Sequence, residues 1–183
     1  MELLARLAIS ITAAAATAGC FQPVYGDHSA TTGGSGIAQA LNAVDVLQID
    51  APTGTDDARI AVELRNDLLF SLQGGSGGGS PTHSLKIKVT ASRYVASQDI
   101  QTGLSSSNIY SITATYQLTD LRTGKVVLNE KAYAPVSYDI PGEQQRFAST
   151  RALRDSENRA TQLVADNIRG RLASYFVAAA QPL

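Results

Sequence analysis

Strict alternation of apolar and polar side chains over residues 110–119, within a predicted strand at 108–119, is the feature that most limits how this chain can fold. Every second residue from Tyr110 to Leu118 is a tyrosine or an aliphatic residue, and the residues between them are serine, threonine and glutamine. A period of two is typical of a β-strand with one buried and one solvated face. A turn sequence follows at 120–124, and residues 125–136 supply a returning strand. The sequence therefore predicts an antiparallel hairpin at the centre of the fold.

Two more strands and a helix are predicted on the N-terminal side of this hairpin. Residues 44–49 form a short apolar run, and residues 85–89 alternate aliphatic residues with lysine, so both stretches favour strands. Between them, apolar residues recur every four positions over 57–72, which predicts an amphipathic helix. Asp56 or Asp57 is predicted to cap this helix, because a carboxylate accepts the free amide protons of a first turn.

The last part of the chain, 144–180, is predicted to be one long helix. A stripe with a period of 3.6 residues runs along it, with arginine and aspartate on the outside. The stripe consists of Ala160, Leu163, Val164, Asn167, Ile168, Leu172, Tyr175 and Phe176. On this pattern Glu157 lies on or near the solvated outer face, because charges of mixed sign at such spacing usually face water.

The resulting order, β-α-β-β-β-α, predicts an α+β fold. We expect a two-layer sandwich with two helices on one face of a roughly four-stranded, mostly antiparallel sheet, since an apolar sheet face has to be covered. The opposite face is polar enough to stay solvated or to meet a partner. With 183 residues, 44% of them hydrophobic, the chain can build one core, and residues 37–183 are predicted to form a single domain.

The N-terminal residues 1–19 are predicted to be a lipoprotein signal peptide. Residues 7–18 form an uncharged apolar run that is too short to span a bilayer, which requires about 20 residues. The run ends at Thr-Ala-Gly-Cys, residues 17–20, which resembles the bacterial lipobox, so the single cysteine, Cys20, is predicted to be acylated. The alternative is a simple signal peptide with a chance cysteine at its cleavage site. Residues 20–36 are predicted to be the lipidated N-terminus and a flexible tether.

The sequence has few residues suited to catalysis or metal binding. One cysteine excludes an internal disulfide and a cysteine-based zinc site, and the two histidines, His28 and His83, lie in loop-like sequence without a second ligand nearby. Residues 74–78 match the G-x-S-x-G motif of serine hydrolases, but they belong to a glycine-serine run that favours a connector. Basic and acidic residues number 15 and 16, which excludes a histone-like binder of nucleic acid. We predict no catalytic residue, metal, cofactor or nucleic-acid partner.

Three cations are the candidate binding residues. In the strand that contains Leu85 and Ile87, alternation places Lys86 and Lys88 together on the uncovered face, and Arg93 follows close behind. A row of cations there could meet phosphate groups through charge-assisted hydrogen bonds. The alternative is that the lysines only protect an edge strand from pairing with another sheet. The arginines of the last helix are a second candidate surface.

Residues 20–26, Cys-Phe-Gln-Pro-Val-Tyr-Gly, resemble the start of mature lipoproteins of the LptE family in its alphaproteobacterial form. A Cys-Gly-Phe-x-Pro-Leu-Tyr-Gly string is typical there, and this chain lacks the intervening glycine and has Val24 in place of leucine. The last helix, from the Arg-Asp-Ser-Glu-Asn-Arg-Ala stretch at 154–160, also resembles that family.

The resemblance implies a non-enzymatic lipoprotein of the outer membrane, anchored on the periplasmic side by lipid such as palmitate on Cys20. It also implies that the protein plugs the LptD barrel, assists its assembly and helps to export lipopolysaccharide. The implied partners are the LptD outer-membrane barrel, lipopolysaccharide and the membrane. Lys86, Lys88 and Arg93 are then the candidate lipopolysaccharide-binding residues. The alternatives are an auxiliary lipoprotein of an ABC-type lipid transporter and a periplasmic enzyme of unrecognised type.

Overall fold

The computed structural model describes residues 34–51, 54–74, 79–140 and 146–180. Within them the chain forms three helices and four strands, in the order α1 (Gly34–Asn42), β1 (Val44–Val46), α2 (Asp56–Gln73), β2 (His83–Gln98), β3 (Ser105–Asp120), β4 (Val126–Asp139) and α3 (Arg146–Ala180). The predicted α+β class is confirmed, with one helix, α1, beyond the two that were expected.

The sheet is mixed and has the strand order β1-β2-β3-β4. The short strand β1 pairs with β2 in parallel, whereas β2 with β3 and β3 with β4 form long antiparallel ladders. The β2–β3 register is unbroken from the His83↔Asp120 pair to the Val95↔Asn108 pair, so the faces of both strands can be assigned over that whole length. The strands β2 and β3 have 16 residues each and extend further than the alternation in the sequence predicted.

The turn between β3 and β4 is where the sequence predicted it. The Asp120 carboxylate accepts hydrogen bonds from the backbone N–H groups of Arg122 (2.7 Å) and Thr123 (3.2 Å). Gly124 has a φ of +68°, a left-handed conformation that glycine adopts without a steric penalty. These local contacts fix the register of the hairpin at its closed end.

Helix α2 begins at a different cap from the one predicted. The Thr55 hydroxyl accepts a hydrogen bond from the backbone N–H of Ala58 (3.2 Å), and its backbone is extended, as an N-cap requires. The prediction that Asp56 or Asp57 caps the helix is wrong, because both residues already lie in the first helical turn. Their carboxylates favour the helix dipole from there. At the other end Gly74, with a φ of 62°, closes the helix.

Helix α1 was not anticipated and begins at Gly34, within the last residues of the segment predicted as a tether. Its Leu41 side chain is buried in the core, so the helix covers one end of the two-layer body. Cys20, the predicted signal peptide and the rest of the predicted tether lie outside the described residues.

The core lies between the sheet and the helices α2 and α3, which pack on the same sheet face. Each buried leucine or isoleucine stabilises the fold by about 1.5–3 kcal/mol relative to an exposed one. The fully buried side chains of this layer include Ile60, Leu64 and Leu68 of α2, Leu85 of β2, Ile112 and Leu118 of β3, and Ile168 and Leu172 of α3.

Most of the predicted stripe of α3 is buried, but the buried face departs from it at a few positions. Leu163 and Asn167 are exposed, whereas Thr161 and Glu157 are buried. The helix packs against both the sheet and α2, and this second neighbour buries positions that the apolar stripe alone does not include. The prediction of an outward-facing Glu157 is wrong, because its carboxylate pairs with Arg59 of α2.

In the part of the chain that the structure describes, none of the helices combines the length and the apolar character that crossing a membrane requires.

Candidate functional site

The candidate site is the sheet face opposite the helices, formed by β2, β3 and β4 and called here the open face. Residues paired across adjacent strands share a face, so the register defines rows of side chains that cross the sheet. Moving along the strands, these rows are Lys86–Gln117–Asn129, Lys88–Thr115–Lys131, Thr90–Thr113–Tyr133, Ser92–Ser111–Pro135 and Tyr94–Ile109–Ser137.

Lys86, Lys88 and Lys131 form the lysine cluster at one end of this face. All three side chains are exposed, and none takes part in an ion pair within the described residues. With neighbouring strands about 4.8 Å apart and about 3.4 Å per residue, the backbones of Lys88 and Lys131 lie about 10 Å apart and those of Lys86 and Lys88 about 7 Å apart. The hydroxyl of Thr115 and the amide of Gln117 lie between them.

Lys131 was missed at the level of sequence. Its own strand does alternate, since Ala132, Ala134 and Val136 are buried, and this signal assigns Lys131 to an outward face. However, alternation within one strand does not show which residue of another strand lies beside it. The β3–β4 register, which pairs Thr115 with Lys131, brings this third cation into the row of Lys88.

Arg93 lies on the other side of the sheet from the lysine cluster. It has the same parity as Leu85 and Ile87, and its partner on β3 is Tyr110, which is buried under the helices. Arg93 is nevertheless exposed, because the helices do not cover this far end of β2. The structure thus brings Lys86 and Lys88 together, as predicted, and does not bring Arg93 to them.

Acidic residues are confined to the two ends of the open face. Among the described strands these are Asp45, which pairs with Ser84 of β2, and Asp139, which pairs with Ser107 of β3. The rows between these two acidic residues therefore present cations together with hydroxyl and amide groups. Such a surface binds phosphate or carboxylate groups through charge-assisted hydrogen bonds.

Tyr94 and Tyr133 form what we call the tyrosine bridge, which begins in the row next to that of Lys88 and extends away from the lysine cluster. Their hydroxyl groups are hydrogen-bonded to each other, which raises the pKa of Tyr94. Ser111 lies on the central strand, in the row between the rows of the two tyrosines. It is only 3% exposed although none of the described helices covers this face, and its hydroxyl is hydrogen-bonded to that of Ser92 (2.8 Å). The tyrosine rings thus shield the middle of the sheet from water.

The lysines also lie on edge strands. The strand β1 pairs with β2 only as far as Leu85, so β2 has a free edge from Lys86 onward, and β4 is the opposite edge of the sheet. Lysines on such edges disfavour pairing with other sheets. This role is compatible with anion binding by the same side chains.

The sequence profile of the LptE family, described as lipopolysaccharide-assembly, matches residues 41–172. The match covers more than half of the chain and runs from the end of α1 into α3. The chain belongs to the LptE family. The family resemblance noted in the sequence is thereby confirmed.

Two solved structures share the fold with this LptE-family chain. A protein of Caulobacter crescentus CB15 that is described as a lipoprotein has 18% sequence identity and a TM-score of 0.59, and the match covers 78% of this chain and 97% of that chain. Rare lipoprotein B of Shewanella oneidensis has 13% identity and a TM-score of 0.54, with 75% and 98% coverage. At these identities the likeness shows the fold alone. The sequence matches none of the curated proteins closely enough to establish a relationship.

Another polar residue of this LptE-family chain, His83, has a packing role. His83 was predicted to lie in a loop, but it begins β2 and packs edge-on against Phe176 of α3, with ring centroids 5.1 Å apart. Burial lowers the pKa of His83, which favours its neutral form. Within the described ranges, no group of three or more histidine, cysteine, aspartate or glutamate side chains is arranged to hold a metal ion.

Proposed function

We propose that this protein is a non-enzymatic lipoprotein of the outer membrane that plugs the LptD barrel, assists its assembly and helps to export lipopolysaccharide. Family membership supports the role in lipopolysaccharide assembly. The observation that carries the binding part of the proposal is the lysine cluster, three exposed cations without acidic partners on an uncovered sheet face.

The proposed membrane attachment is through Cys20, which follows the lipobox-like Thr-Ala-Gly sequence. Several acyl chains on one residue hold a protein firmly at a bilayer, whereas a single chain does so only marginally. Phe21 follows this cysteine, at a position where lipoproteins retained in the inner membrane often have aspartate, and this supports the outer membrane as the destination.

The proposed contact with lipopolysaccharide is between the lysine cluster and the phosphate groups of lipid A. Lysine binds phosphate as a point charge, and the backbone spacing of about 7 to 10 Å lets separate lysines reach separate phosphates. The proposed site keeps Lys86 and Lys88, adds Lys131, and leaves out Arg93, which strand alternation puts on the other face.

The proposed plug is supported by the polarity of the body. The lumen of a large membrane β-barrel is polar, so a protein lodged there needs a polar surface. The open face supplies one, because its rows consist mainly of serine, threonine, glutamine, asparagine and lysine. The net charge of the chain is −1, which avoids a large electrostatic penalty in a lumen of either sign.

Partner capture tests the assembly role. A tagged full-length chain should be purified from detergent-solubilised membranes and the proteins that come with it identified by mass spectrometry. We expect the LptD barrel to be the main partner. Recovery of an inner-membrane permease in its place would contradict this proposal and support the auxiliary lipoprotein of an ABC-type lipid transporter.

Charge reversal tests the proposed lipopolysaccharide site. The double variant Lys86→Glu/Lys88→Glu should remain folded, because exposed charges contribute only about 0–1 kcal/mol each. Its affinity for lipopolysaccharide should fall by about tenfold at low salt, or about 1.4 kcal/mol, and by less at high salt because ions screen exposed charges. The matched control Arg93→Glu/Arg122→Glu makes the same change in net charge at exposed positions outside the open face. If both double variants bind like the wild type, the site lies elsewhere, and the arginines of α3 become the next surface to test.

A further inference from the structure

The open face changes in chemical character along the strands. The lysine cluster occupies the first two rows at one end, and the three rows beyond it carry hydroxyl groups together with the tyrosine bridge, Pro135 and Ile109. Charged and apolar groups are therefore separated along one direction of a single surface rather than mixed.

We propose that the open face binds one anionic amphiphile lengthwise, with its phosphate groups at the lysine cluster and its acyl chains against the tyrosine bridge. This inference rests on the proposed function, which supplies lipopolysaccharide as the amphiphile. It adds an acyl-chain subsite at Tyr94 and Tyr133 and gives the bound lipid a direction on the sheet.

The dimensions of the face fit such a ligand. Tyr133 lies in the row next to that of Lys88, and Tyr94 lies six residues beyond Lys88 on the same strand. At about 3.4 Å per residue, the tyrosine bridge begins about 7 Å from the cations and ends about 20 Å from them. The hydrocarbon core of a bilayer is about 30 Å thick, so the acyl chains of one leaflet extend about 15 Å. A chain of that length leaving the lysine cluster would reach across both tyrosines.

The tyrosine bridge presents the apolar faces of two aromatic rings. The two side chains are 46% and 52% exposed, so much of both rings is in contact with water. The sheet surface between the two rings is already shielded from water, since Ser111 is buried and hydrogen-bonded to Ser92. Covering the faces of these rings with an acyl chain would remove apolar area from water.

The surface beyond the tyrosine bridge continues this character. The β2–β3 hairpin end exposes Ile100 and Leu104. Its shape is held by the Asp99 carboxylate, which accepts hydrogen bonds from the backbone N–H groups of Gln101 (2.8 Å) and Thr102 (3.0 Å).

An acidic peptide would fit the open face poorly, because the charges of such a peptide are spread along its length while the cations of the open face are gathered at one end.

Removing the rings tests the acyl-chain subsite. The variant Tyr94→Ser/Tyr133→Ser should be compared with Tyr94→Phe/Tyr133→Phe, which keeps the rings, and with Phe70→Ser, which removes an exposed ring from α2 on the helical side of the molecule. The probes are purified lipopolysaccharide in nonionic detergent and the same lipopolysaccharide after chemical removal of all its acyl chains. Circular dichroism confirms that each variant is folded.

We expect the serine pair to bind intact lipopolysaccharide about tenfold more weakly and the deacylated form within twofold of the wild type. The phenylalanine pair and Phe70→Ser should bind both probes like the wild type. Charge reversal at Lys86 and Lys88 should weaken both probes, because both carry the phosphates.

The two sets of variants distinguish failure of the acyl-chain subsite from failure of the proposed function. If the serine pair binds intact lipopolysaccharide like the wild type while the lysine variant does not, the acyl-chain subsite is refuted and the proposed function stands. The subsite is also refuted if the serine pair weakens both probes equally, or if the wild type binds the deacylated probe as tightly as the intact one. If the lysine variant binds both probes normally, the proposed lipopolysaccharide site itself fails.

Discussion

Replacing Arg59 by methionine is expected to destabilise the fold more than replacing the carboxylate with which it pairs. Glu157 of α3 is only 2% exposed, and its carboxylate contacts Arg59 of α2. Arg59 also pairs with Glu63 at 3.0 Å, and its side chain is 33% exposed. The remaining cation near Glu157 is Arg154, at 3.6 Å. The Arg59–Glu157 pair joins the two helices through residues that are 98 positions apart in the chain. Its loss should therefore weaken the packing of α2 on α3.

The expected change in the free energy of unfolding depends on which charged group each variant leaves without a partner. Removing one partner of a fully buried ion pair costs about 3–5 kcal/mol, because the other charge stays buried without compensation. Arg59 is one-third exposed, so we lower this to about 2–3 kcal/mol for Arg59→Met. Glu157→Gln leaves Arg59 with Glu63 and with access to water, and should cost about 1–2 kcal/mol. The control Arg154→Met removes a half-exposed partner and should cost at most about 1 kcal/mol.

The loss of stability in Arg59→Met should depend on pH, and its sign follows from the pKa of Glu157. Burial raises the pKa of Glu157, and Arg59 is the strongest of the groups that oppose this. In Arg59→Met the folded-state pKa therefore rises further above the value of about 4.3 expected in the unfolded chain. An acid with a raised folded-state pKa contributes stability that is present below its unfolded-state pKa and lost as pH rises toward the folded-state pKa. The deficit of Arg59→Met relative to the wild type should thus grow between about pH 4 and about pH 7.

Urea unfolding followed by far-UV circular dichroism measures these differences at both pH values. The reasoning would be refuted if Glu157→Gln were less stable than Arg59→Met, or if the deficit of Arg59→Met were the same at both. Equal losses in Arg59→Met and Arg154→Met would show that burial of the carboxylate is not the cause.

Three further outcomes are expected. Cys20→Ser should block lipidation and leave an unprocessed precursor; a free Cys20 thiol in the membrane-bound mature protein, seen by mass spectrometry, would contradict the predicted anchor. Deleting three glycines within 75–79 should change the free energy of unfolding little, because loop-closure entropy varies by about 0.6 kcal/mol per doubling of length; loss of barrel assembly by a folded deletion variant would show that the loop has a function. Since burial lowers the pKa of His83, its stabilising contribution should be present above about pH 6.5 and be lost as pH falls below that value; an unchanged pH dependence of Tm in His83→Leu would refute this.

The central hairpin and both long helices could be predicted from the sequence because their signals are local. Alternation over 110–119 and the turn at 120–124 act between near neighbours in the chain, and the structure has β3, the turn and β4 there. The four-residue spacing of apolar residues likewise located α2 to within one residue at each end. The lysine pair was placed correctly on the uncovered face for the same reason, since Leu85 and Ile87 must face the core.

The tertiary structure alone decided which distant side chains meet. Lys131 joins the lysine cluster through the β3–β4 register, and Arg93 leaves it because the unbroken β2 pairing puts it on the side of Tyr110. Glu157 is buried because Arg59, far away in sequence, neutralises its carboxylate, whereas Leu163 is exposed because neither the sheet nor α2 covers it. Periodicity in a sequence reports the faces of one element, but the pairing of faces depends on long-range packing. That packing turned two neighbouring lysines into a cluster of three.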